Sequence, residues 1–120
     1  MTEFHTLPVY KACMELERQF SASTQKTPRL LKYGKVDTLH RDLVELIVTV
    51  AFASEYDSDR KAFIKEALDR MKRFKIQVRI LLDLRAITQK GFAAIVKTEE
   101  DVSRQLQGWL NSIEKRENEK

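Results

Sequence analysis

The sequence predicts an all-α fold, an antiparallel up-down-up-down four-helix bundle. Three observations carry that expectation. The chain holds only three glycines and two prolines in 120 residues, too few for a turn-rich β fold. Apolar residues recur at the i, i+3, i+4, i+7 spacing of core-facing helices in four separate segments. Those segments are joined by one longer loop and two short turns, which makes neighbours in sequence antiparallel neighbours in space. A chain of 120 residues, 42% of them hydrophobic, is one domain over residues 1–120 with enough apolar mass for a single core.

The first helix is expected over about 8–24. Pro8 suits the first helical position, where its missing N–H costs nothing. Val9, Cys13, Leu16 and Phe20 make a narrow apolar stripe, and Cys13 within it reads as a small core residue. The pattern fades at Ser21-Ala22-Ser23-Thr24. Residues 25–33, Gln-Lys-Thr-Pro-Arg-Leu-Leu-Lys-Tyr, form the longest connection, and Pro28 pushes Thr27 out of helical geometry.

A second helix follows over about 35–53, with Val36, Leu39, Leu43, Leu46, Ile47 and Val50 on its core face. The third is expected over about 58–86, capped by Asp57 or Ser58, and buries Ile64, Ala67, Met71, Phe74, Val78 and Leu82. The fourth, about 89–114, begins behind Thr88 as N-cap and carries Phe92, Ile95, Val102, Leu106, Trp109 and Ile113 on one face. Glu99 falls in the middle of that face. A buried carboxylate needs a partner, and Lys75 or Arg85 is within reach. Residues 114–120 have no apolar side and read as a frayed polar end.

Two apolar lines lie off the core faces. Val44, Val48 and Phe52 add an i, i+4, i+8 line to the second helix, and Ile76, Ile80 and Leu84 add one to the third. A four-helix monomer does not easily cover both sides of two helices, so these lines are expected to be contacts of a homo-oligomer.

The formal charge is +4, and its distribution says more than its size. Residues 70–79 hold Arg70, Lys72, Arg73, Lys75 and Arg79 and no acid, and residues 26–41 hold Lys26, Arg29, Lys32, Lys35 and Arg41 against Asp37 alone. Glu66 and Asp69 sit four residues before Arg70 and Arg73 and are expected to pair with them. Lys61, Lys65, Lys72 and Arg79 line one flank of the third helix. Together with Arg29, Lys32, Lys35 and Lys75 they are the candidate contacts for the phosphates of RNA or DNA. No RNA-binding signature or aromatic stacking platform accompanies them, so contact to the backbone rather than to base edges is expected.

No sequence signature of catalysis is present: there is no glycine-rich phosphate loop, HExxH, CxxC or G-x-S-x-G. His5 and His40 have no carboxylate or thiol at metal-ligand spacing, and no E-x-x-H of a di-iron bundle occurs. The expectation is therefore a non-enzymatic protein with no cofactor, metal or small-molecule substrate. A single cysteine excludes an internal disulfide and suits a reducing compartment. With no apolar run of membrane-spanning length and no secretion signal at the N-terminus, a cytoplasmic protein is expected.

Four short stretches occur in the order and spacing of one bacterial group: Leu7-Pro8-Val9-Tyr10-Lys11, Pro28-Arg29 followed by Lys32-Tyr33, Asp83-Leu84-Arg85, and Arg104-Gln105-Leu106-Gln107-Gly108-Trp109. From Leu7 to Ile113 the chain resembles the four-helix-bundle proteins that include the accessory variability determinant of diversity-generating retroelements. A related branch comprises four-helix proteins encoded in intervening sequences of large-subunit ribosomal RNA genes. The resemblance implies a basic homo-oligomeric bundle, a pentameric barrel in the retroelement branch. There it associates with the element's reverse transcriptase and with nucleic acid, and leaves polymerisation to the partner. The chain departs from the group after Tyr33, where Gly34-Lys35-Val36 follows at once. Two other expectations stand beside this one: an RNA binder of the ribosomal type, and an oligomerising module whose charge serves only solubility.

Overall fold

A computed structural model describes residues 3–119. Met1, Thr2 and Lys120 lie outside the described residues, and with them the outermost residues of the expected domain and polar tail. The described chain is all-helical. Its four long helices are α1 (Pro8–Ser23), α2 (Asp37–Glu55), α3 (Arg60–Asp83) and α4 (Gln89–Asn118). A 3-10 turn, Phe4–Thr6, precedes α1. α2 packs on α3, α3 on α4 and α4 on α1, while the α1–α2 contact that closes the ring is narrower. The bundle measures 53 × 20 × 20 Å.

The buried faces are for the most part those the periodicity requires, although Phe92, Trp109 and Ile113 of α4 are half-buried and Leu110 is buried. Val9, Cys13, Leu16 and Phe20 of α1 meet Leu39, Leu43, Leu46 and Val50 of α2, Ala67, Met71, Phe74 and Val78 of α3, and Ile95, Val102 and Leu106 of α4 in one core. Phe20 and Phe74 cross edge-to-face, with ring centroids 5.6 Å apart, a geometry that brings ring edge to ring face. Burial pushes the Cys13 thiol up to about 12, which removes its thiolate at neutral pH and leaves it a packing residue. On α3 the periodicity places Leu82 in the core; it is half-buried, and the neighbouring Leu81 is 1% exposed.

Helix boundaries differ from expectation in several places. α3 stops at Asp83 rather than at about 86, and Arg85 beyond it turns left-handed. Three other differences each have a local reason. The connection before α2 is itself largely helical: Pro28 O accepts from Leu31 N at 3.0 Å and Lys32 N at 2.9 Å. One α-helical turn, Arg29–Leu31, and a wider π-helical stretch, Lys32–Val36, then lead straight into α2. Pro28 thus starts a helix as well as excluding Thr27 from one. Neither Asp57 nor Ser58 caps α3. Its N-cap is Asp59, whose side chain makes no capping bond, because a 3-10 turn over Asp57–Asp59 displaces the start. At the other end of the chain, α4 continues past residue 114 to Asn118, held by an ion pair of 2.8 Å from Lys61 to Glu117. The Thr88 cap is as expected, its Oγ1 accepting from Gly91 N at 3.0 Å.

Candidate nucleic-acid interface

The flank of α3 does not survive folding as a row of four bare cations. Lys61 is tied to Glu117, and that bond raises its affinity for the proton. Arg79 pairs with Asp83 at 3.2 Å, and its guanidinium lies over the Phe92 ring at 5.9 Å. Lys65 and Lys72 are exposed and make no ion pair with a described residue. Arg70 and Arg73 pair with Glu66 and Asp69, as their spacing requires.

Lys75 is half-buried at the level of Glu99. Glu99 is 2% exposed, and its Oε2 has no hydrogen-bond partner. Burial pushes its carboxyl up to about 7, against the pull of Lys75. Of the two expected partners, Lys75 is the one whose charge acts on Glu99, with no ion pair formed between them; Arg85 is exposed on the turn after α3.

The basic connection behaves differently. The Thr27 hydroxyl donates to Ala86 O at 2.8 Å, which ties the connection at Thr27 to the turn between α3 and α4. On the neighbouring strand of contacts, a Cβ on Gly91 would lie 2.9 Å from Ser23 Oγ, so the start of α4 abuts the end of α1. One end of the bundle thereby collects Lys26, Arg29, Lys32 and Lys35 from residues 24–36, and Arg85 and Lys90 from residues 84–90. Neither stretch contains an acid. None of the six makes an ion pair with a described residue. Arg29 lies over the Tyr33 ring at 5.7 Å. Lys35 borders a cleft of about 410 Å³ between the π-helical stretch and α3, floored by Leu39 and Leu81. Arg85 and Lys90 are the cations that reading the sequence as separate segments misses. The signal for them was present, because an antiparallel bundle must put the first and third connections at the same end.

All six residues of the off-core lines remain solvent-exposed. Val48 is the least accessible at 37% and Ile76 the most at 64%, with Val44, Phe52, Ile80 and Leu84 between. Phe52 forms an aromatic cluster with Tyr56 and Phe63. Leu30 and Tyr33 add 91% and 66% exposed apolar side chains beside the basic connection.

Folding also joins two groups that are far apart in sequence: His40 Nε2 lies 2.6 Å from Glu17 Oε1, clasping α1 to α2. Among the described residues no group of three or more His, Cys, Asp or Glu side chains is placed to hold a metal ion. Nor is any helix among them long and apolar enough to cross a membrane. No known family model matches the chain, and no curated protein sequence matches it.

Proposed function

We propose that this protein is a non-enzymatic nucleic-acid-binding accessory subunit, cytoplasmic and homo-oligomeric, that works with a reverse transcriptase of a diversity-generating retroelement. One observation carries the nucleic-acid part of this reading: six cations and no acid in the two connections at one end of the bundle. Phosphate chains bind such a surface by releasing counterions, and binding of that kind weakens steeply with salt. The retroelement partner rests on the resemblance of the four motifs between Leu7 and Ile113. The homo-oligomer, a pentamer in that family, is supported by the exposed lines Val44/Val48/Phe52 and Ile76/Ile80/Leu84.

The direct test is anisotropy of a labelled single-stranded RNA, and of the DNA of the same sequence, titrated with the protein at several salt concentrations. Affinity should fall log-linearly with salt. The double reversal Lys32→Glu/Lys35→Glu should weaken binding at 0.1 M salt by roughly tenfold per lost phosphate contact, so by about two decades. Binding that ignores both salt and this double variant would overturn the assignment. Sedimentation of Ile80→Glu tests the oligomer separately: the wild type should sediment as an assembly and the variant as a smaller species.

A second reading is favoured by the pairing of Lys61 and Arg79: a structural oligomerising module whose charge only keeps it in solution. It predicts the same sedimentation and no RNA retained at physiological salt. An RNA binder of the ribosomal intervening-sequence type shares the binding prediction and differs in having no reverse-transcriptase partner.

A further inference from the structure

The turn between α3 and α4 carries a backbone feature that its sequence does not require. Arg85 has φ of 59°, the only positive φ at a non-glycine residue among the described residues. Its N–H donates to Leu82 O at 2.9 Å, and the next N–H, of Ala86, donates to Leu81 O at 2.8 Å. This is the Schellman closure of a helix, and the residue at its left-handed position is usually glycine, since any Cβ there crowds the backbone. Arginine therefore occupies a position where the local fold favours having no side chain.

The Arg85 side chain is exposed and, among the described residues, gives the fold no hydrogen bond or ion pair in return. Its backbone, in contrast, is fixed on both sides. Ala86 and Ile87 are each 5% exposed, and Ala86 O accepts the Thr27 hydroxyl. Lys26 is one residue from the donor of that bond, and Arg85 is one residue from its acceptor. Lys90 precedes Gly91, which abuts Ser23. The strained position thus stands among the cations from both connections.

We infer that Arg85 is held on this turn as a positioned phosphate contact, a guanidinium presented from a rigid anchor to the backbone of a bound nucleic acid. The inference rests on the nucleic-acid reading above and sharpens it to one residue. A planar guanidinium can bridge two oxygens of a phosphate with parallel N–H bonds, which a lysine ammonium cannot. An anchor already ordered by the fold lowers the entropy lost on binding.

The test exploits opposite signs. In the full-length protein, Arg85→Gly should raise Tm by about 3–6 °C, because the left-handed position is relieved. It should also weaken binding of a single-stranded RNA roughly tenfold at 0.1 M salt and lower the slope of log affinity against log salt by about 1. Arg85→Lys should keep the slope and lose only part of the affinity. A fall in Tm for Arg85→Gly would mean that the side chain supports the fold, and would overturn the inference. So would unchanged affinity and slope for Arg85→Gly alongside weakened binding by Lys32→Glu; the nucleic-acid reading would then stand without Arg85. If the wild-type protein binds no RNA or DNA at 0.1 M salt, the nucleic-acid reading falls and takes this inference with it.

Discussion

Both ends of the bundle carry several basic residues, yet they are electrostatically unlike. At one end, residues 24–36 and 84–90 carry six cations and no acid. At the other, residues 53–63 and 110–119 carry Arg60, Lys61, Lys115 and Arg116 against Glu55, Asp57, Asp59, Glu114, Glu117 and Glu119. Two of the cations there, Arg60 and Lys61, are used internally. Arg60 donates to Ala53 O at 2.7 Å and to Ser54 O at 2.9 Å, closing the end of α2, and also pairs with Asp57. Its guanidinium lies over the Trp109 ring at 5.9 Å. The same residue types fasten helices at one end and stay available at the other. The number of basic residues in a segment is thus a poor guide to how much charge stays unpaired; the acids that the fold brings beside them decide that.

The difference between the ends can be broken experimentally, and the largest effect lies at the basic end. Where Lys32→Glu/Lys35→Glu should cost about two decades of RNA affinity, Lys61→Glu at the opposite end should leave affinity within about twofold in the same titration, since Lys61 is already neutralised by Glu117. Equal losses from both variants would mean that the ends do not differ in the way proposed.

Glu99, between the ends, should control stability and not binding. Its carboxyl is raised from 4.5 to about 7, so between those values the folded state holds a proton that the unfolded chain has released. Stability is then greatest below about pH 4.5 as far as this group is concerned, declines as pH rises to about 7, and is level above that. The full shift corresponds to roughly 3 kcal/mol. Glu99→Met should abolish that slope and add about 1–3 kcal/mol at pH 8 in urea unfolding, with RNA affinity unchanged.

Next in size is Arg60→Met. Releasing two carbonyls at the end of α2 should cost about 1–2 kcal/mol, again without affecting RNA binding. The smallest effect compares two glycines of α4. A Cβ at Gly108 meets nothing within 4 Å, so Gly108→Ala should stabilise by about 0.5–1 kcal/mol. Gly91→Ala, at the basic end, should forfeit that gain, because its Cβ would lie 2.9 Å from Ser23 Oγ and 3.3 Å from Thr88 Oγ1. Thermal melts of the two variants decide it.

Much of the architecture was legible in the order of residues. The apolar stripes of α1 and α2, the Thr88 cap, the Arg70–Glu66 and Arg73–Asp69 pairs and the burial of Glu99 all follow from helical spacing, because each depends on residues within about two turns of one another. What was not legible needed contacts across the bundle. Nothing near Lys61 in sequence foretells Glu117, and nothing near His40 foretells Glu17. The left-handed Arg85 was hidden for a different reason: a sequence search for a helix stop looks for glycine, and here a basic residue takes its place.

By itself, then, the sequence determined an all-α chain, its core faces, and two further apolar lines that spacing alone keeps off the core. These are consequences of a 3.6-residue repeat, which is a local property of the chain. Only the tertiary structure decided which charges remain available. The antiparallel return of α4 delivers Glu117 to Lys61, and the Thr27–Ala86 bond ties the basic connection, which the topology already places at the same end, to the α3–α4 turn. Electrostatic pairing acts through space rather than along the chain, so the candidate site exists only once the helices have packed.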